Sequence, residues 1–174
     1  PQGSLDAVDR DQEAVSYGKK NITDLRFNIY HANYSAIDSL FPKQKFDGIL
    51  LDLGICSTHL DNPIRGFSFQ SDGPLDMRMD ISSGFSAAEW LNRAPEKEIS
   101  DILFEYGDEK ASRKIAKAIV KFRATKSLKT TIELTRVIET VLKRTGKTHP
   151  ATKSFQAIRI NVNNELHHLK KVLS

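Results

Sequence analysis

Hydrophobic positions along this chain change their period near its middle. Up to residue 52 they come in short runs bounded by acids, amides and turn residues. Leu5-Asp6-Ala7-Val8 closes on Asp9, Phe27-Asn28-Ile29-Tyr30-His31 alternates, and Phe46 to Leu51 contains the unbroken apolar run Gly48-Ile49-Leu50-Leu51. Alternation reads as a half-buried strand, and a short continuous run as a strand covered on both faces of a parallel sheet. Between the first two runs, Asp11-Gln12-Glu13-Ala14-Val15-Ser16-Tyr17 opens a helix with acids in its first turn, where the helix dipole favours them, and Asp11 takes the capping role. Tyr34 to Leu40 predicts a brief helical turn. Strands separated by helices at this spacing predict a parallel, doubly wound α/β sheet.

From Ser86 onward the period becomes 3.6. Ala87, Ala88 and Leu91 follow a Ser cap, then come Ile99, Ile102, Leu103 and Tyr106, and then Ile115, Ala118, Ile119 and Phe122. Thr131-Ile132-Glu133-Leu134 begins another helix with Val137, Ile138, Val141 and Leu142 on its apolar face, and Gly146 near Pro150 punctuates its end. A final helix is expected through Phe155, Ile158 and Val162 to Leu166 and Leu169.

Between the two regimes lies the stretch richest in candidate chemistry, FDGILLDLGICSTHLDNPIRGFSFQSDGPLDMRMD, residues 46 to 80. Asp52 emerges at the carboxyl end of the apolar strand, where open α/β sheets bind their ligands. Beyond it the chain carries Arg65 and Arg78 with Asp61, Asp72, Asp76 and Asp80 in a connection of roughly 28 residues, against the two to six of an ordinary loop. This stretch resembles the MraW/RsmH family, S-adenosylmethionine-dependent methyltransferases that modify the exocyclic N4 of a cytosine in small-subunit ribosomal RNA. The resemblance also takes in LDAVDRDQEAV (Leu5 to Val15), SAAEWL (Ser86 to Leu91), EYGDEKASRKIAKAIV (Glu105 to Val120) and HPATKSFQAIRINVNNEL (His149 to Leu166), in the family's order. RGFSF followed by DGPLDMRMD is peculiar to the family, whereas an acid after a strand is common to many nucleotide-binding folds.

The resemblance implies a class I, Rossmann-like methyltransferase α/β sheet domain at residues 1–57, an inserted all-helical RNA-recognition domain at 58–160, and a return to the first domain at 161–174. It also implies an incomplete sheet. The family's Gly-rich donor loop after its first strand has no match, since Pro1-Gln2-Gly3-Ser4 leads straight into the Leu5 strand, and family members continue past Ser174. A doubly wound sheet without that strand exposes unpaired backbone edges.

For Asp9, the residues alone leave a structural acid and a nucleoside ligand both open. A carboxylate after this strand accepts hydrogen bonds from ribose hydroxyls, of NAD as readily as of another adenosine cofactor. The matching acid in the family contacts the cofactor ribose. Tyr34 stands where the family usually places a Phe against the adenine, and stacking needs only an aromatic face. Asp52 matches a cofactor-contacting acid nearest the methyl donor, and as a carboxylate it can accept a hydrogen bond from the target amine, the catalytic role expected of it. His59 occupies a position where many members have Gln, and unlike Gln it can carry charge near neutral pH. No covalent nucleophile is required, and Cys56 is expected as a small buried residue. The five histidines and the lone cysteine show no metal-ligand spacing.

Charge adds a second function. Residues 1–109 carry 10 Lys and Arg against 19 Asp and Glu, while 110–153 carry 13 against 2, a local net of +11 within an overall +4. So large a local excess suits a polyanion, with counterion release supplying affinity. Arg113, Lys114, Lys117 and Lys121 fall at helical spacings that align a basic stripe, and Lys126, Lys129, Lys143, Arg144 and Lys147 extend the sign. Phe67 and Phe69 are candidates to stack on an unpaired base or to pack between domains, and Arg65 to contact a phosphate or tie the loop down. Met77 and Met79, flanking Arg78, are expected to be one buried and one adjustable. His167-His168 is expected at the surface.

With no apolar run near about 18 residues, no membrane span is indicated. The implied cofactor is S-adenosylmethionine and the implied partner small-subunit ribosomal RNA or the small ribosomal subunit, in the bacterial cytoplasm or the mitochondrial matrix, with a homodimer left open. Two rival classes stand beside this reading: a non-catalytic RNA-binding or ribosome-assembly protein that keeps the fold, and a nicotinamide-dependent oxidoreductase suggested by Asp9.

Overall fold

The computed structural model describes residues 3–143, 146 and 148–174, so the basic positions Arg144 and Lys147 lie outside the described residues. The chain divides into two compact units. One comprises residues up to Asp52 together with Met79–Ser83 and Asn164–Ser174, and the other Leu53–Arg78 with Gly84–Asn163.

The first unit is a βαβ motif with additions. Strand β1 (Leu5–Asp9) pairs in parallel with β2 (Phe27–His31), in a register that sets Leu5 beside Phe27 and Asp9 beside His31. Helix α1 (Gln12–Asn21) makes the crossover that parallel pairing requires. It starts where it does because the Asp11 carboxylate accepts a hydrogen bond from Glu13 N–H at 2.9 Å, the capping role read from sequence. A short 3₁₀ turn, Tyr34–Ala36, runs into α2 (Ile37–Leu40), as the pattern predicts.

Phe46 to Leu51 does not form the expected strand. A strand exists only where a neighbour exchanges ladder bonds with it, and among the described residues β1 pairs with β2 alone. Ile49 and Leu50 are 65% and 93% exposed. The stretch is anchored at its start by an edge-to-face series, Tyr30 on Phe41 and Phe41 on Phe46, each with centroids 5.3 Å apart.

The second unit is helical: α3 (Ser57–Asp61) lies in the stretch read as a connection, and α4 (Ala87–Arg93), α5 (Glu96–Gly107), α6 (Ser112–Arg123), α7 (Thr131–Glu139) and α8 (Thr152–Val162) follow where the 3.6 period predicts helices. Two capping boxes set element starts, Ser86 with Glu89 on α4 and Thr130 with Glu133 on α7. Leu91, Ile99, Leu103, Ile115, Ile119, Leu134, Ile138 and Ile158 are fully buried between the helices. Each such side chain contributes roughly 1.5–3 kcal/mol by leaving water.

The expected final helix is two helices. Asn164 adopts a left-handed conformation (φ 51°), which ends α8 and lets α9 (Glu165–Val172) begin in the first unit. Asparagine tolerates that region better than most residues, because its short side chain bonds locally.

Candidate functional site

At the carboxyl end of β1 the first unit gathers charged groups from four segments. Asp9 Oδ1 accepts from Asp11 N–H at 2.7 Å, and the Asp9 carbonyl accepts from Ala32 N–H at 2.9 Å. A carboxylate has about four acceptor sites, so this one keeps the capacity to bind a diol. His31 Nε2 meets the Arg10 carbonyl at 3.0 Å and acts there as the donor. Tyr34 donates from its hydroxyl to the Glu165 carbonyl at 3.2 Å and meets the His168 ring edge-on, with centroids 6.4 Å apart. Burial raises the Tyr34 phenol, Glu165 adds to the rise, and Arg10 opposes it. His168 Nδ1 lies 3.1 Å from Ser35 Oγ, and burial lowers its imidazole, with Arg10 second. His168 is thus half-buried, against the expected surface position, while His167 is exposed.

Arg10 is the site residue that sequence reasoning missed. Burial lowers its guanidinium's pKa, and four neighbours counter that: Asp80, Glu165, Tyr34 and Asp9. Asp80 is held below the ordinary carboxylate value despite the opposing effect of burial, because Ser82 and Ser83 donate to it and His31 lies near. A cation set between two acids, Asp9-Arg10-Asp11, is the signal that could have found it. Asp52 is exposed in the irregular stretch of the same unit.

His59, the fourth expected cofactor residue, belongs to the helical unit and is 6% exposed. Its ring stacks on Phe67 with centroids 4.8 Å apart, and its Nδ1 lies 3.4 Å from Cys56 Sγ. Cys56 is exposed rather than buried, because it precedes α3 in extended backbone; its thiol also lies 2.8 Å from Thr58 Oγ1.

The long loop of this unit is a knot of backbone and side chain. Arg65 is 6% exposed, donates from Nη2 to the Arg78 carbonyl at 3.2 Å, and accepts at its own carbonyl from Met77 N–H at 3.0 Å. That is the loop-tying geometry of the two open from sequence. Its guanidinium also lies 6.0 Å from the Phe67 centroid. Arg78 and Asp76 form a two-bond ion pair, both at 2.8 Å. Gly66 and Gly73 are required by space, since a Cβ at Gly66 would overlap the Pro74 carbonyl and one at Gly73 the Pro63 carbonyl. Thr131 then fastens Ser71 and Gly73 to the start of α7. Met77 and Met79 are both buried, so neither is the adjustable one. Phe69 stacks on His149 at 4.5 Å and meets Phe155 edge-on at 5.1 Å, so both loop phenylalanines pack within this unit.

On α6 the division of faces is clean. Ser112, Ile115, Ala116 and Ile119 are buried, while Arg113, Lys114, Lys117 and Lys121 are exposed along the other side. Among the described residues no group of three or more His, Cys, Asp and Glu could hold a metal ion, and no helix is long and apolar enough to cross a membrane.

The model of the MraW methylase family matches residues 1–174. The chain belongs to that family. Among its curated relatives, "Ribosomal RNA small subunit methyltransferase H" of Ruthia magnifica subsp. Calyptogena magnifica is 47% identical over 176 residues, covering 99% of this chain and 57% of the relative. The proteins of the same name from Xylella fastidiosa (strain M23) and Xanthomonas axonopodis pv. citri (strain 306) are 48% and 49% identical; each alignment covers 95% of this chain, and 55% and 49% of the relatives respectively. The chain therefore spans about half the length of the curated relatives it matches. Its motifs lie in the MraW order, and the mixed α/β architecture with a small parallel sheet agrees with a methyltransferase-like fold.

Proposed function

We propose that the protein carrying this chain transfers a methyl group from S-adenosylmethionine to the exocyclic N4 of a cytosine in small-subunit ribosomal RNA. The observation that carries this reading is 47% identity, over 99% of the chain, to a protein named as a small-subunit ribosomal RNA methyltransferase. The division of labour follows the two units, an α/β domain for the cofactor and an inserted helical domain for RNA.

Bound S-adenosylmethionine supplies an electrophilic methyl on a sulfonium centre. Asp9 receives the ribose hydroxyls, and Tyr34 offers an aromatic face to the adenine. Asp52 accepts a hydrogen bond from the cytosine amine. A cytosine N4 lone pair is delocalised into its ring, so the protein's task is alignment and acceptance of developing charge rather than covalent catalysis. Arg113, Lys114, Lys117 and Lys121 on α6 hold the RNA backbone, a sequence-independent contact that weakens with salt. Arg65 serves by fixing the loop that follows Asp52. The bacterial cytoplasm is the compartment of this reading, supported by relatives named as ribosomal RNA methyltransferases.

The test is methyl transfer by the full-length protein from labelled donor to small ribosomal subunits lacking the modification, with the product nucleoside identified by mass spectrometry. N4-methylated cytidine is expected. RNA binding with no transfer would instead support the non-catalytic assembly role.

A further inference from the structure

Tyr34 and Ser35 leave the end of β2 in a turn whose geometry is set locally. The Asn33 side chain accepts from Ser35 N–H at 2.9 Å, and the Asn33 carbonyl accepts from Ala36 N–H at 2.9 Å. An Asx cap of this kind fixes the backbone from which the next two side chains leave. Glu165 and His168 are one helical turn apart, so they lie on the same side of α9. The two pairs meet at both members. Tyr34 donates from its hydroxyl to the Glu165 carbonyl at 3.2 Å, and Ser35 Oγ lies 3.1 Å from His168 Nδ1. The rings of Tyr34 and His168 stand at 82° with centroids 6.4 Å apart.

Such a clasp restrains the Tyr34 ring twice. A phenol held at its hydroxyl alone can still turn about that point, and contact with a second, fixed ring removes that freedom. In an edge-to-face pair one ring covers at most one face of the other, so His168 leaves Tyr34 a face for a third ring. Burial, followed by Arg10, His167 and Lys171, holds the His168 imidazole below its ordinary value, so near neutral pH it serves as an uncharged ring. Groups that lock a binding residue in its productive geometry raise affinity by reducing what binding must order.

We propose that His168 is a positioning residue of the cofactor site: its bond to Ser35 and its contact with Tyr34 hold the Tyr34 ring ready for the adenine. This rests on the S-adenosylmethionine reading above. His168 touches neither the sulfonium nor the target amine; it acts through Tyr34. Stacking on the adenine is the same in the ground state and the transition state, so weakening it raises KM for the donor and leaves kcat unchanged. A loss of folded protein does the opposite, lowering the apparent kcat at constant KM.

The test is calorimetric titration of the full-length protein with S-adenosylhomocysteine, for wild type, His168→Ala, His168→Asn and His167→Ala, with thermal unfolding and methyl-transfer kinetics on unmodified small ribosomal subunits recorded for each. His168→Ala is expected to lose about tenfold in affinity, with KM for S-adenosylmethionine raised to match and kcat within about twofold. His168→Asn, whose amide can donate or accept where Nδ1 stands, is expected to recover to within about threefold of wild type. His167→Ala, at the exposed neighbour, is expected to match wild type. Unchanged affinity in His168→Ala, an Asn variant as weak as the Ala one, a His167→Ala variant equally weak, or a fall in kcat at constant KM overturns the inference while leaving the cofactor reading intact. A wild type that binds no S-adenosylhomocysteine overturns both, and one that binds but transfers nothing overturns methyl transfer and leaves the titrations to decide. Should His168→Ala not fold, Ser35→Ala removes the same bond from its other end: a loss of about fivefold is expected, and unchanged affinity overturns the inference.

Discussion

Asn163 donates from Nδ2 to the Met77 carbonyl at 2.7 Å, across 86 positions of sequence, and Met77 is a buried non-glycine residue held at φ 63°. A side chain with a Cβ costs roughly 1–3 kcal/mol in that region unless its surroundings impose it. Here Arg65 accepts from the Met77 N–H and Asn163 donates to its carbonyl, so both sides of the residue are held. The turn that follows carries Arg78, and its guanidinium is paired to Asp76.

Replacing Asn163 by Ala is expected to destabilise the protein by about 1–3 kcal/mol, because a buried carbonyl loses its partner while the left-handed turn loses one of its two restraints. Chemical denaturation of wild type and variant measures this. A variant within a few tenths of wild type would show that Met77 is held by Arg65 alone.

Gly66→Ala and Gly73→Ala are expected to be more damaging than Gly48→Ala. The first two place a Cβ on backbone carbonyls that cannot swing away, whereas nothing lies within 4 Å of a Cβ at Gly48. Losses of at least about 2–3 kcal/mol are expected at the former and almost none at the latter, read from thermal unfolding.

Ser154 is fully buried and its hydroxyl makes no hydrogen bond among the described residues. Ser154→Ala is therefore expected to be neutral or stabilising by up to about 1 kcal/mol, since an unsatisfied polar group is removed from the core. A clear destabilisation in the same denaturation experiment would contradict the observed packing.

The Asp76–Arg78 pair sets a pH dependence. Burial pushes the Asp76 carboxyl up, but the Arg78 side-chain and backbone bonds outweigh it and hold it below its ordinary value of 3.8. A carboxyl depressed on folding stabilises the native state above the unfolded value and loses that contribution as pH falls through the folded one. Stability is thus expected to decline from about pH 4 downward, and Arg78→Met to shrink this depression, leaving the Arg78 N–H bond to Asp76 in place, and with it to flatten the part of the acid limb that Asp76 contributes. Unfolding midpoints between pH 2 and 6 measure it; an unchanged acid limb in the variant would rule the pair out as its source.

Local signals carried much of this architecture into the sequence. Asp11 capping α1, Ser86 with Glu89 and Thr130 with Glu133 are all bonds across two or three residues, so periodicity and cap chemistry place these helices. Strand formation is different in kind. Phe46 to Leu51 has the composition of a buried strand, yet a ladder needs a neighbour from elsewhere in the chain, and composition does not say which neighbour is there. The break between α8 and α9 was hidden for the same reason: Asn163 looks like one more position in an apolar helix until the Met77 carbonyl is brought to it. In the candidate site, Asp9 was legible because acids at strand ends recur in many nucleotide-binding folds, whereas of Arg10's surroundings only the adjacent acids were visible, Asp80 and Glu165 being distant in sequence.

Under the proposed function, cofactor and RNA are recognised by different parts of this protein, Asp9 in the α/β unit and the basic face of α6 in the helical one. The most direct measurement is a pair of titrations, S-adenosylmethionine and small-subunit ribosomal RNA, on full-length wild type, Asp9→Ala and the double charge reversal Lys114→Glu with Lys117→Glu. Asp9→Ala is expected to weaken cofactor binding by at least about tenfold and to leave RNA binding untouched, while the charge reversal abolishes RNA binding and spares the cofactor. Equal losses of both ligands in both variants would contradict it.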